Sequence, residues 1–451
     1  MPKCNPNILL ILVDDLTLSL GCYGNALVRT PHLDRLASRG VLFANTICQS
    51  PLCTPSRASM LTGLRPDHTG IHLLHDRLSE RCPHAVTLPA LFRRAGYFTA
   101  RAGKVFHLGV PDSIVMHSSG DDDPQAWDVA INCPGYELNS NGVFHNATPW
   151  QRVRAGSGGA VSWLRAENPD HHQHDHIVAT RIIKQMEEHA HDPFFLAAGF
   201  VRPHVPLVAP GRFFAMYDDI DVPLPPTRHQ NLTDRPYANF FGTGFCISDE
   251  DHRQAIRAYY ACVSFLDEQV GRLMAALDRL NLADRTVVLF TADHGYQLGE
   301  HGVWFKKFLF EGSIRVPLII ASPEHRSTCG QVTKGMTELV DLYPTLLELA
   351  GLDAPGPLDG VSRVPALRNP DAHVGGTAFS QTRQSHGNQQ VRGRCLRTER
   401  WKYNRWTGTC AEEELFDLMA DPFEAVNLAS CAAYQDVLDR LRTQASAASY
   451  P

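Results

Sequence analysis

The sequence predicts an α/β protein: a large mixed, mostly parallel sheet sandwiched by helices, then a smaller C-terminal α+β subdomain carrying an antiparallel sheet. Three observations carry this expectation. Short apolar runs alternate with amphipathic helical stretches along most of the chain, the pattern of βαβ units. A Pro- and Gly-rich stretch at 352–376 interrupts the alternation and reads as a linker or long crossing loop. Beyond it, GRCLRTERWKYNRW and EEELFDL alternate like antiparallel strands, and a short helix is expected near 432–446. The boundary therefore falls near residue 360, dividing 1–360 from 361–451, and 451 residues suffice for a core of that size.

The elements follow in order. NILLILV is the first strand. TPHLDRLASRG is a helix with Thr30 at its N-cap, Pro31 in the first turn and Gly40 past its end. TLPALFRRAGY is a second helix, leading into the strand YFTARAGK. DHIVATRIIKQMEEH starts a helix at Asp175 and PFFLAAGF is the strand after it. A long helical stretch beginning DEDHRQ precedes the strand TVVLFTA, and RVPLIIA is a further strand. Residues 110–165 and 206–248 are turn-rich and are expected to form loops over one edge of the sheet.

Composition narrows the function. With 43% apolar and 20% charged residues the chain is an ordinary globular protein, and its net charge of -6 gives no general attraction to nucleic acid or acidic membrane. Any anion it binds must be caught locally. Twelve cysteines without a CxxC pair or zinc-like spacing favour free thiols in a reducing compartment. The apolar run Ile8–Val13 is too short for a secretory h-region and no stretch approaches membrane-spanning length, so the expected location is cytoplasmic. The sequence leaves the oligomeric state open.

Open α/β sheets bind ligands at the carboxyl ends of their strands. Just past the predicted strands stand Asp14 and Asp15, then Lys104 and His107, then Arg202 and His204, then Asp293 and His294, with Lys306 following. Three carboxylates with one imidazole suit a hard divalent cation such as Ca²⁺, Mg²⁺ or Mn²⁺ better than zinc. Alone, Asp14–Asp15 reads as a strand-ending turn and Asp293–His294 as a helix cap. Together they need a cation, because adjacent like charges at a sheet end are costly. Lys104, His107, His204 and Lys306 add protonatable groups beside them. Such a set suits a dianionic ester whose oxygens are held by metal and lysines while a histidine protonates the leaving oxygen. The histidine-rich run DHHQHDH at 170–176 reads instead as a solvated helix entrance capped by Asp175.

SPLCTPSRASMLTG, residues 50–63, places Cys53 at a helix mouth, with Thr54 as N-cap, Pro55 in the first helical position, and Gly63 and Pro66 ending the helix. On the residues alone, Cys53 is either a small buried hydrophobe or a nucleophile activated by the helix N-terminus. Arg57, one turn on, is placed to fix the group at 53.

CTPSRASMLTG resembles the C-x-P-S-R-x-x-x-L-T-G signature of type I sulfatases, in the alkaline phosphatase superfamily. NILLILVDDL, TPHLDRLASRGVLF, ADHG and the tail RTERWKY…ELFDLMADPFEAVNL extend the resemblance over essentially the whole chain. It implies an alkaline-phosphatase-like fold and oxidation of Cys53 to Cα-formylglycine by a formylglycine-generating enzyme. It implies a metal, usually Ca²⁺, held by Asp14, Asp15, Asp293, His294 and the modified Cys53. Arg57 would hold the hydrated aldehyde with Lys104 and His107 assisting, and His204 and Lys306 would contact the sulfate and the leaving oxygen. A diol oxygen would attack sulfur, and the covalent intermediate would then release sulfate. His294, GKVFH, GCYG and VRPHVP are most similar to the iduronate-2-sulfatase branch, implying a 2-O-sulfated uronic-acid-type sugar. VWFKKFLFEGSIRVP also resembles the choline-sulfatase and phosphonate monoester hydrolase branches, so a small sulfate ester or a phosphonate is the alternative substrate.

Overall fold

A computed structural model describes residues 6–135, 141–148, 161–230, 232, 235, 237, 247–372, 376–386 and 388–447. Its strands are β1 (Asn7–Val13), β2 (Val41–Ile47), β3 (Phe98–Gly103), β4 (Val129–Ile131), β5 (Gly142–Asn146), β6 (Ser162–Ala166), β7 (Phe194–Phe200) and β8 (Leu207–Pro210). They continue with β9 (Thr286–Ala292), β10 (Arg315–Val316), β11 (Leu318–Ala321), β12 (Val332–Glu338), β13 (Thr377–His386), β14 (Gln389–Thr398), β15 (Trp401–Gly408) and β16 (Glu412–Asp417). Nine form the central sheet in the order β10-β2-β11-β9-β1-β7-β3-β4, with β12 on β2. β1, β3, β4, β7 and β9 run parallel, whereas β11 joins β9 and β2 antiparallel. The sheet is thus mixed and mostly parallel, as expected, and its central strands are apolar because both faces are covered.

Register positions the chemistry. Val13 lies opposite Phe200 on one side and Ala292 on the other, and Gly103 lies opposite Gly199. Four strands therefore end level, and the residues that follow them emerge together. Gly103 has φ +74, and a Cβ there would sit 2.2 Å from the Gly199 carbonyl oxygen. Only glycine permits the close approach that turns Lys104 inward.

Several local expectations are corrected. Thr30 occupies the N-cap of Pro31–Ser38, but its hydroxyl accepts the Gly21 N–H instead. The helix is capped by Asp267 of the Asp249–Arg279 helix, whose carboxylate accepts the His32 and Leu33 N–H groups at 3.2 and 2.7 Å. Thr54 is not a cap either. The helix spans Cys53–Thr62 with Leu52 at the N-cap, and the Thr54 hydroxyl donates to Leu74 O. The 352–376 stretch is more than a linker: it carries the helix Val364–Arg368, and buried Arg363 pairs with Asp341 at 2.6 Å. The turn-rich 110–165 and 206–248 stretches contribute β4, β5, β6 and β8, the last three forming a small separate sheet. Residues 136–140, 149–160 and most of 231–246 lie outside the described residues.

β13 to β16 form the four-stranded antiparallel C-terminal sheet, backed by the helix Gln435–Ala447 through Leu396, Trp401, Tyr403, Leu415, Leu438 and Leu441. An ionic clamp joins it to the segment after Lys306. Glu311 accepts from Arg397 of β14 at 3.1 and 3.2 Å, and Lys402 of β15 pairs with Glu424, whose carboxylate accepts the Glu311 N–H at 2.6 Å. Burial alone would raise the Glu311 carboxyl, but Arg397 and Lys402 bring it down to about 2. A free glutamate titrates near ~4.3, so between these values the native state binds fewer protons than the unfolded chain. Its contribution is complete above that unfolded value and disappears as pH falls toward the native one. Glu424 is shifted the other way, chiefly by burial, and Asp14, Glu413 and Asp417 are lowered as well, so Glu311 is one of several carboxylates behind the acid limb. Glu311→Gln is expected to flatten that limb and to cost ~3 kcal/mol at neutral pH, because Arg397 loses its partner. Urea midpoints followed from neutral to acid pH check this.

Candidate active site

The helix Cys53–Thr62 is buried along its whole length, with its N-terminus aimed at the level strand ends. The Ser56 hydroxyl bonds the Asp293 carbonyl, and Gly63, at φ +70, closes the far end by donating to Ser59 O. Cys53 Sγ lies 3.2 Å from His294 Nε2, 3.3 Å from Lys306 Nζ, 3.5 Å from Asp14 Oδ1 and 3.9 Å from Lys104 Nζ. A residue at 53 thus touches groups from four other segments. Burial and Asp14 raise its thiol, yet Lys104, Lys306 and His294 outweigh them and the net shift is downward.

The charged groups interlock. Lys104 pairs with Asp14, and Lys306 with Asp15 at 2.7 Å. Arg57 Nε donates to Asp293 Oδ2 at 2.7 Å, and its NH1 donates to the carbonyls of Lys104 and Val105 at 2.6 and 3.0 Å. Arg57 therefore ties Asp293 to the turn that presents Lys104. His294 Nδ1 lies 3.2 Å from Asp15 Oδ1, and His204 Nε2 3.7 Å from Asp15 Oδ2. His107 is the outlier. It faces Lys104 and Asp14 closely enough that burial and Lys104 push its imidazole down to about 3, but its buried Nδ1 makes no hydrogen bond.

Two carboxylates respond in opposite directions. Burial would raise Asp14, but Lys104, His204 and Lys306 hold it well below the carboxylate range. Asp15 is raised to about 7, first by burial, with Lys306 opposing. His294 rises to about 9 because Asp293 overcomes its burial. Such a group stays compact when a cation balances the acids and the imidazole is neutral.

The donors fit a cation. Asp14, Cys53, Asp293 and His294 bring ligand atoms within 4.8 Å of one another, as do Asp14, Asp15 and His204, and buried Asp15 Oδ2 has no hydrogen-bond partner. As a thiolate, residue 53 would make this set partly soft. An oxygen there would make it an oxygen-rich set with one nitrogen, suited to a hard ion. Among the described residues the histidine-rich run provides no second such cluster.

That run is also not uniformly solvated. His174 and Asp175 are buried, and Asp175 does not cap its helix, where Gln173 takes the N-cap. Its carboxylate accepts the Val201 and Arg202 N–H groups at 2.9 and 2.8 Å and meets His174 Nδ1 at 2.9 Å. Arg202 NH1 then donates to the carbonyls of His204 and Pro206 at 2.7 and 2.6 Å. A chain of bonds thus holds the turn that carries His204. Tyr259 holds a second site residue: its hydroxyl donates to Asp15 O at 2.7 Å and accepts from Thr17 N, fixing Asp15 at φ +62. No pattern distinguishes Tyr259 from its neighbours on a buried helix, whereas an Asp inside a histidine-rich run was a signal available to be used.

Acids, lysines and imidazoles gathered about one nucleophile position at the carboxyl edge of an α/β sheet define a hydrolase of anionic esters. Residues 6–352 match the sulfatase family, and residues 299–449 match the N-sulphoglucosamine sulphohydrolase C-terminal family. Iduronate 2-sulfatase of Mus musculus is 36% identical over 397 residues, 77% of this chain and 69% of that protein. Choline-sulfatase of Rhizobium meliloti is 32% identical over 460 residues, 95% of this chain and 83% of its own. Among solved structures, the phosphonate monoester hydrolase of Agrobacterium radiobacter has a TM-score of 0.82 at 23% identity, covering 98% of this chain and 95% of its own. The chain belongs to the sulfatase family and is a sulfuric ester hydrolase.

Proposed function

We propose that the protein hydrolyses the sulfate ester of a 2-O-sulfated uronic-acid-type sugar, using formylglycine derived from Cys53 and one divalent cation, Ca²⁺ first. The observation that carries this reading is the convergence on Cys53 of Asp14, His294 and Lys306, each within 3.5 Å. Asp14, Asp15, Asp293, His294 and the residue at 53 would hold the cation. When present, the aldehyde hydrate supplies an oxygen nucleophile and the cation neutralises an ester oxygen.

The chain's own residues do the rest. Lys104 and Lys306 flank residue 53 and hold anionic oxygens of the ester. Arg57 keeps Asp293 and the 104–105 turn in place, and His107 lines the Lys104 side. His204 Nδ1 is committed to the Val205 carbonyl at 2.6 Å, so Nε2 is the atom that faces the ester. Burial and Lys306 keep that imidazole well below its ordinary range. A bound anion restores its proton affinity, and the proton passes from Nε2 to the leaving oxygen.

The sugar assignment is supported by the identity to iduronate 2-sulfatase. Choline-sulfatase, matched over more of both chains, favours a small sulfate ester as the second reading. Comparing kcat/KM for a 2-O-sulfated uronide, choline sulfate, an aryl sulfate and a phosphonate monoester decides. The uronide is expected to lead, and a phosphonate preference would overturn the assignment.

Asp175→Asn tests the His204 turn. The amide retains one acceptor but turns an NH₂ toward a backbone N–H, so His204 shifts. kcat is expected to fall ~10²-fold for an alkyl sulfate, which needs its leaving oxygen protonated, and much less for a nitrophenyl sulfate. Equal losses on both esters would mean that Asp175 serves the fold alone.

A further inference from the structure

A second concentration of positive charge lies away from Cys53. A cleft of about 340 Å³ is enclosed by the C-terminal sheet, the Pro66–Thr69 helical turn and the end of the Gln435–Ala447 helix. Arg65, at its corner, follows the far end of the Cys53–Thr62 helix. Ten helical residues, about 15 Å of rise, separate that end from the nucleophile position.

We propose that this cleft is a binding site for an oxyanion, a sulfate or carboxylate group. Strand register builds it. Arg394 of β14 lies directly opposite Arg405 of β15, and Arg392 lies opposite Arg383 of β13. Like charges paired across strands destabilise a sheet, and here two such pairs stand side by side. The carboxylate bonded to them is Asp67, which accepts from Arg394 at 2.8 Å and Arg392 at 3.3 Å and also meets His72 at 3.8 Å. The other acids nearby are committed. Glu338 holds Arg65, while Glu413, opposite Arg405 on β16, is bonded by Arg442 and the Tyr403 hydroxyl. Asp439 takes Arg442 as well, at 2.7 Å.

The donors left over are specific. Among the described residues, the side chains of Arg383 and Arg405 make no hydrogen bond or ion pair, although the Arg405 charge is felt by Glu413 across the strands, and the buried Nε atoms of Arg392 and Arg394 have no hydrogen-bond partner. Burial and the Arg383 charge also hold His72 below its ordinary range, consistent with an electropositive cleft. Guanidinium forks match the paired oxygens of sulfate and carboxylate groups, so an entering oxyanion would satisfy the spare donors and offset the cross-strand repulsion. Inorganic sulfate and a sulfated saccharide share this chemistry.

The test counts bound equivalents by equilibrium dialysis with two probes, inorganic sulfate and a 2-O-sulfated uronic acid disaccharide. Both are applied to Cys53→Ala protein, which spares the saccharide from turnover, with and without Arg394→Gln and Arg405→Gln. The double substitution is expected to remove one equivalent, while in protein that keeps residue 53 in its active form nitrophenyl sulfate kcat/KM stays within about twofold, since that ester is held at the Cys53 end of the helix, away from the cleft. Arg405→Gln alone disturbs no bond in the fold and is expected to weaken the same equivalent about tenfold through one lost charge-assisted bond. Loss with inorganic sulfate identifies the free ion as a ligand, and loss with the disaccharide alone identifies a saccharide-borne group. Equal stoichiometry with and without the substitutions, for both probes, would overturn the site. Because the count does not depend on catalysis, it stands or falls separately from the chemistry at residue 53.

Discussion

Cys53→Ala is expected to abolish sulfate-ester turnover, by ~10⁴-fold or more, without unfolding the protein. The side chain is buried and surrounded by charge, so its packing contribution is small beside its role as the position on which Asp14, His294 and Lys306 converge. Cys53→Ser carries the sharper implication. If a thiolate were the nucleophile, serine would retain a weak hydroxyl nucleophile in the same place. If the working group is an aldehyde hydrate made from cysteine, serine is inactive wherever the maturation enzyme does not accept it. A tryptic mass measurement on the residue 53 peptide separates the cases: the active form should lack sulfur and carry an added oxygen. An unmodified thiol in fully active protein would overturn the formylglycine reading.

Asp293→Asn is the second large effect, and it should appear in both activity and stability. Asp293 is the carboxylate bonded to the buried Arg57 side chain and accepts the backbone N–H groups of His294 and, more distantly, Asp15. Removing its charge leaves Arg57 with Asp14 at 3.8 Å as its nearest acid. A buried guanidinium that loses its partner costs ~3–5 kcal/mol. Turnover should fall ~10³-fold or more, because the same carboxylate is proposed to hold the cation. Chelation gives a readout independent of activity. A bound cation stabilises the native state by mass action, so a chelator should lower the unfolding midpoint of the parent protein and leave that of Asp293→Asn nearly unchanged. Equal chelator shifts in both proteins would remove Asp293 from the cation site.

The central strands were readable because β1, β7 and β9 are continuous apolar runs, and the residues that follow a parallel strand are where ligands bind. β2 and β12 were not, since VLFANTI and VTKGMTE mix polar residues into buried positions. Asn45 is nearly buried yet satisfied by donating to the Lys334 carbonyl, a partner 289 residues away. β13 was missed for a similar reason: TAFSQTRQSH has few apolar residues, and its register with β14 defines it. Capping failed twice because the hydroxyls of Thr30 and Thr54 met other partners than the first-turn N–H groups of their helices: Thr30 meets Gly21 N and the Asp34 carboxylate, and Thr54 the Leu74 carbonyl. The ionisable residues of the site could be named one by one from the chain, but their pairings could not. Nothing local to Arg57 indicates that it bonds Asp293, and nothing local to Asp175 indicates that it holds the turn leading to His204.

The complete burial of the Cys53–Thr62 helix has a consequence for the order of events in the protein's life. A second macromolecule that must grip CTPSR as an extended strip cannot reach it once the central sheet has closed over the helix. Any enzyme-made change at residue 53 therefore has to be finished before the chain folds, and it is sealed in afterwards. Protein that folds first keeps its thiol for as long as it remains native. On the proposed formylglycine reading, preparations made where maturation lags behind synthesis are mixtures of two indistinguishable folds, one competent and one inert, with specific activity set by the race between modification and folding.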